Sequence, residues 1–148
     1  MSETTVYKMT GSGNDFVLLD GRSTTPDDWP ASRIARLCDR RSGIGADGLV
    51  ILTPARPGDI AMAFWNSDGS RAAMCGNAAL CSTRLSVLLD LAPAGYVRLL
   101  TDAGIVEARC PPTGDQAEIR LPDFDLAPDT GGGPEPAADE RWMAFATV

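Results

Sequence analysis

Short apolar runs rich in Val, Ile and Leu punctuate the chain at residues 6–9, 16–19, 49–52, 60–65, 97–100, 105–108 and 117–121. Runs of this length and composition predict β-strands. Two other stretches carry helical spacing. The first, 32–41, lines up Ile34, Leu37 and Cys38 on one face. The second, 76–89, places Leu80, Leu85, Leu88 and Leu89 beside Ala78, Ala79 and Cys81, so that its polar surface reduces to Ser82, Thr83, Arg84 and Ser86. A helix that is apolar nearly all round belongs inside a protein, so this one is expected within the sheet rather than on it. Pro93 and Gly95 are the residues expected to stop it.

The pattern changes near the C-terminal end. The segment 126–140, LAPDTGGGPEPAADE, clusters Pro, Gly and acids and reads as an exposed loop or linker. The segment 141–148, RWMAFATV, turns apolar again and reads as the start of a further strand. The expected organisation is a folded domain over 1–125, a linker over 126–140 and an interdomain strand beginning at 141–148. No internal repeat is visible.

Composition narrows the chemistry. A chain of 148 residues suffices for one domain with its own core. It contains no histidine, which excludes serine triads, histidine-based metal sites and imidazole switches. Acid–base work must come from cysteine, carboxylates, the phenols of Tyr7 and Tyr96, or Lys8, the single lysine. A net charge of −7 argues against nucleic acid or an anionic membrane as partner and favours a small molecule or another protein. The N-terminus lacks the basic and apolar regions of a signal peptide, so a cytoplasmic location is expected, with Cys38, Cys75, Cys81 and Cys110 as free thiols.

Four segments carry candidate chemistry. GIGADG at 43–48 matches a dinucleotide fingerprint only by accident, because it follows a helix and enters a strand, the reverse of the required order. Gly43 is expected instead as a helix C-cap, and Gly45 and Gly48 as points of tight turning or close approach. GSGNDF at 11–16 reads either as a tight turn in which Asn14 and Asp15 bond their own backbone, or as a polar mouth to a strand. FWNSDGS at 64–70 has the same ambiguity around Asn66. In AAMCGNAALC, 72–81, Cys75 falls where a loop becomes the buried helix. Unpaired amides at a helix start can stabilise a thiolate and bind a carboxylate, whereas the plainer reading is a small buried thiol. Gly76 permits close approach of a ligand to the backbone, and Asn77 adds a directed donor. Cys81 lies six residues on, about 9 Å along a helix and well around it. Packing is the expected role of Cys38, Cys81 and Cys110, and no metal site is expected.

Taken together, KMTGSGNDF at 8–16, CDRRSGIGADGL at 38–49, FWNSDGSRAAMCGN at 64–77 and TDAGIVEA at 101–108 resemble the N-terminal half of diaminopimelate epimerase in order and spacing. The resemblance implies an α+β fold, a mixed sheet rolled into a barrel around one central helix, forming one of two similar domains. It implies a cofactor-independent epimerase that converts LL- to meso-diaminopimelate by two-thiol proton transfer in lysine biosynthesis. By the same resemblance Cys75 is one catalytic thiol, and Asn14, Asn66, Gly76 and Asn77 bind the amino-acid substrate. The second thiol lies in a Cys-Gly-Thr motif of a C-terminal domain expected to be absent from this chain, which alone is expected to be inactive. That domain or a partner half is the implied partner, and a homodimer is also compatible.

The sequence departs from the family where Thr10 replaces the usual His, and where Ala78 and Leu80 replace Gly and Arg after Cys-Gly-Asn. Arg84, one turn on, is expected to compensate in part. Two alternatives stay open: half of a proline racemase-like or other amino-acid racemase, and a non-catalytic binding or assembly domain of the same fold.

Overall fold

The computed structural model describes residues 3–112 and 116–121; the expected linker over 126–140 and strand at 141–148 lie outside them. The chain runs through β1 (Tyr7–Gly11), β2 (Asn14–Asp20), a single 3₁₀ turn (Pro26–Asp28), α1 (Ala31–Cys38), β3 (Gly48–Pro54), β4 (Asp59–Asn66), β5 (Arg71–Ala72), α2 (Gly76–Leu88), β6 (Gly95–Thr101), β7 (Gly104–Cys110) and β8 (Glu118–Ile119). Each apolar run read as a strand contributes to one, although 117–121 shrinks to the two residues of β8. The two-residue β5 is too short to carry a periodic signal.

The strands form one mixed sheet in the order β1-β2-β3-β4-β6-β7-β8, with β5 paired to β4. Pairing of β2 with β3 and of β4 with β6 is parallel, and the rest is antiparallel. The sheet curves into a half-barrel, and α2 lies in its hollow, touching β1 at one edge and β8 at the other.

Alternation along the central strands decides which helix each side chain meets. Phe16, Leu18, Val50, Leu52, Ile60, Met62 and Phe64 face the hollow and pack with Ala78, Ala79, Cys81 and Leu85 of α2. Val17, Leu19, Leu49, Ile51 and Trp65 point the other way and pack with Ile34 and Cys38 of α1 and with Trp29. Both faces being covered, β2 and β3 read as continuous apolar runs. The outer strands have no such cover. Val97, Leu99, Val106 and Ala108 face α2, whereas Tyr96 and Ile105 on the opposite face are half exposed.

Three details differ from the sequence reading. Ser82, Thr83 and Ser86 are not polar surface: all three are fully buried, and their hydroxyls donate back to the carbonyls of Ala78, Ala79 and Ser82 at 2.7, 2.8 and 2.7 Å. Local bonding of this kind satisfies a hydroxyl wherever it sits, so burial costs little. Pro93 and Gly95 do not end α2. Asp90 does, adopting a positive φ of 54° while Leu91 N–H bonds Ser86 O at 2.8 Å and Asp90 N–H bonds Val87 O at 3.2 Å, the pairing of a Schellman motif.

Nor does α1 reach Arg41 or use Gly43 as its cap. Asp39 leaves the helix with ψ 125°, and its Oδ1 takes the N–H groups of Arg41 and Ser42 at 2.9 and 2.7 Å, a local alternative to helical bonding. Gly43 serves through closeness: a Cβ there would stand 2.1 Å from Arg36 O. This lets Ile44 and Gly45 donate their N–H groups to Leu37 O at 2.9 and 3.1 Å, closing the open end of α1.

No helix among the described residues is long and apolar enough to cross a membrane. Gly48 tests the packing directly, because an added Cβ would lie 2.4 Å from Trp65 O and 2.7 Å from Phe64 Cε2. Gly48→Ala is expected to cost about 1–3 kcal/mol by overpacking, read as a lowered urea midpoint with an unchanged slope.

Candidate functional site

The register brings the candidate residues to one end of the sheet. Phe16 pairs with Gly48 and Gly48 with Asn66, so the start of β2, the start of β3 and the end of β4 lie side by side. The N-terminus of α2 opens toward the same end. Cys75 is its N-cap, in extended conformation (φ −142°, ψ 123°), with no side-chain cap bond and no acidic residue in the first turn. The Cys75 carbonyl accepts the Ala79 N–H at 2.9 Å. The N–H groups of the first turn have no intrahelical acceptor, a general property of helix starts, and they carry partial positive charge. Around Gly76 an added Cβ would meet only Ile119 Cδ1 at 3.6 Å, an ordinary contact. The backbone here is open to a ligand.

The β1–β2 hairpin closes on this helix end. Ser12 and Gly13 both have positive φ, 47° and 90°, the two-residue turn whose twist suits a hairpin. Gly11 must be glycine, since a Cβ would lie 2.9 Å from both Asn77 O and Cys81 Sγ. The turn is thus as tight as expected, but Asn14 does not bond its own backbone. Its Oδ1 accepts from Asn77 Nδ2 at 2.7 Å, and its Nδ2 donates to Asp47 Oδ2 at 2.9 Å. Nor is Asp15 spent locally. Its carboxylate bridges Arg40 at 2.7 Å and Lys8 at 2.6 Å, its N–H donates to Asp47 Oδ2 at 3.1 Å, and Lys8 Nζ also donates to Gly45 O. Arg40 reaches Asp47 Oδ1 at 3.1 Å. One chain of polar contacts therefore links the α2 start, the hairpin and the loop before β3.

Asn66 stands apart from that chain. It is exposed, and its Nδ2 donates to Ser70 Oγ at 3.0 Å within its own turn, where Asp68 also anchors the Ser70 N–H and hydroxyl. The plainer reading of FWNSDGS as a polar turn describes this side chain as it stands. Arg84 is turned away from the helix start: its Nη1 donates to Cys110 Sγ at 3.7 Å, at the far end of β7.

All four cysteines are free; Cys38, Cys81 and Cys110 are buried, and Cys75 is partly exposed. Burial, with a smaller contribution from Cys75, pushes the Cys81 thiol up to about 11, and burial likewise raises Cys38. Hydrogen bonds from Arg40 and then Lys8 hold the Asp15 carboxyl well below the usual carboxylate range, and the same bond raises Arg40. Asp47 and Arg40 were not among the residues singled out from sequence, and Lys8 stood out only as a possible acid–base group. Their one signal was their place inside the recurring motifs, with Asp47 directly before the apolar run of β3.

Comparison with known proteins follows the same outline. The family model for diaminopimelate epimerase matches residues 6–121. A diaminopimelate epimerase of Gemmatimonas aurantiaca is 46% identical over 144 residues, covering 95% of this chain and 50% of that protein. That of Rhizorhabdus wittichii is 39% identical over 119 residues, covering 80% of this chain and 41% of that protein. The chain thus spans about half the length of the relatives it matches. Among solved structures, a methylitaconate-delta-isomerase superposes with a TM-score of 0.58 at 16% identity, over 71% of this chain and 33% of that one. A Bacillus anthracis protein of the PhzF phenazine-biosynthesis family does so with a TM-score of 0.55 at 16% identity, over 74% and 36%. At such identities the likeness concerns the fold.

The Asp15 cluster sets a pH dependence with a definite sign. A carboxyl whose folded pKa lies below the ordinary 3.8 adds stability that is fully present above that value and is lost as pH falls toward the folded one. Asp15→Asn is therefore expected to destabilise the protein most near neutral pH. The gap from the parent should narrow steadily in urea unfolding series taken from about pH 5 downward.

Proposed function

The chain belongs to the diaminopimelate epimerase family, and we propose that it forms the N-terminal half of an enzyme converting LL- to meso-diaminopimelate. Inverting a carbon next to a carboxylate requires one group to remove a proton from one face and another to deliver a proton to the opposite face. In this reading the Cys75 thiolate takes the α-hydrogen as a proton and becomes a thiol. The electron pair stays on the substrate α-carbon and carboxylate. A second thiol, from the half of the relatives that this chain does not match, gives its proton to the other face and becomes the thiolate; in the reverse direction the roles exchange.

The observation that carries this reading is Cys75 at the N-cap of α2, partly exposed and beside unpaired amides. Fixed dipoles of that kind favour both a thiolate and a developing carboxylate-centred charge, which an enzyme without a cofactor must stabilise electrostatically. Gly76 and Asn77 would receive the α-carboxylate, and Asn14 and Asn66 the polar atoms around it. For Asn66 this means exchanging its bond to Ser70 for one to substrate. The enzyme would act in the cytoplasm, in lysine and cell-wall synthesis, and this half alone would bind poorly and epimerise nothing.

Two measurements test the reading. Partial exposure of Cys75 against burial of the other thiols predicts that iodoacetamide labels Cys75 well ahead of Cys38, Cys81 and Cys110, as mapped by peptide mass spectrometry; equal rates would count against it. In the chain joined to its C-terminal half, exchange of the α-hydrogen of LL-diaminopimelate with deuterated solvent is expected to fall at least about a hundredfold on Cys75→Ala. Full exchange in that variant would take Cys75 out of the proton transfer, and none in a folded parent would favour a non-catalytic binding domain.

A further inference from the structure

Beyond the residues assigned above, Asp47 is bonded directly to Asn14 of the candidate site. A side-chain amide is two-faced: its carbonyl accepts and its NH₂ donates, and the two ends have nearly the same shape. Which end faces a ligand depends on a neighbour that can take only one role. A carboxylate is such a neighbour, because it accepts and does not donate. Asp47 Oδ2 takes Asn14 Nδ2–H at 2.9 Å and the Asp15 N–H at 3.1 Å. Its other oxygen is held by Arg40 at 3.1 Å, and Arg40 is pinned in turn by both oxygens of Asp15, at 2.7 and 3.0 Å.

We propose that Asp47 is a positioning residue that fixes the direction of an amide relay, Asp47 to Asn14 to Asn77, and so sets which polar atoms the α2 start offers to substrate. With the Asn14 NH₂ turned to Asp47, its carbonyl faces Asn77, whose NH₂ must then face back at 2.7 Å. One N–H remains on each amide, together with the Asn77 carbonyl, beside the open backbone amides of the helix start. Donors flanking an acceptor in this way suit an α-amino acid, which brings a carboxylate and an ammonium on one carbon. Replacing Asp47 by an amide leaves the shape but frees the direction, so either end of Asn14 can face Asn77.

The inference rests on the epimerase reading for its substrate, and the test separates the two. In the chain joined to its C-terminal half, Asp47→Asn is expected to raise KM for diaminopimelate at least about tenfold with a smaller change in kcat, since the loss falls on binding. In an Asn14→Ala background the same substitution should change KM less than about twofold, because Asp47 acts through Asn14. An equal fold-change in both backgrounds would show a merely structural role and overturn the proposal.

A second readout needs no activity. The side-chain NH₂ resonances of Asn77, assigned with Asn77→Ala, should lose their protection from solvent exchange in Asp47→Asn, while those of Asn66 stay unchanged. Unaltered Asn77 protection would also overturn the proposal. If the parent shows no α-hydrogen exchange, the epimerase reading fails while this second readout still decides the relay. Where Asp47→Asn does not fold, Asp47→Ser, whose hydroxyl both gives and accepts, carries the same expectations.

Discussion

Burial of α2 on nearly every side is the constraint on which the rest of this structure depends. A helix in the hollow of a curved sheet must present side chains that need no water, and its serines and threonine meet the demand by bonding carbonyls one turn back. Its backbone is satisfied everywhere except at its ends. One end is closed by the Schellman pairing around Asp90. The other opens at Cys75, and what surrounds it is decided by which loops the sheet brings there.

The sheet brings three. Parallel pairing of β2 with β3 and antiparallel pairing of β3 with β4 place Asn14, Asp47 and Asn66 at neighbouring strand ends. Glycines make the approach close enough, with Gly11 seated on Asn77 O and Cys81 Sγ and Gly48 on Trp65 O. The outcome is a small polar cluster on an otherwise apolar scaffold, in which Lys8 and Arg40 offset the charges of Asp15 and Asp47. That cluster is half-exposed, so its value lies less in stability than in orientation: ion pairs near solvent contribute little, whereas each fixes where an amide or carboxylate points.

Cys75 and Asn66 mark the two states in which a candidate residue can be found. Cys75 already stands at the helix start, where the proposed proton transfer would place it. Asn66 is at the right end of the sheet but its amide is engaged with Ser70, so its role would require a rearrangement that Asn14 and Asn77, already bonded to each other, do not share. Of the three departures from the family pattern, Thr10 lies on β1 and the other two fall on α2. Ala78 is fully buried in the core and Leu80 lies partly covered, so neither brings a charge to the helix start.

Alternation and run length were enough to locate every strand but β5, to separate a one-faced α1 from an apolar α2, and to put Cys75 at a helix start, because these follow from local period and composition. The four motifs were enough to name the family. Partners across the fold were not legible. That Asn14 reaches Asn77 and Asp47 and that Gly43 works by closeness are matters of three-dimensional register, whereas Asp39 ends α1 and Asp90 ends α2 through local bonds. An Asn, Asp or Gly has several ways to satisfy itself locally. Only the packing of the hairpin, the loop before β3 and the start of α2 against one another selected among them.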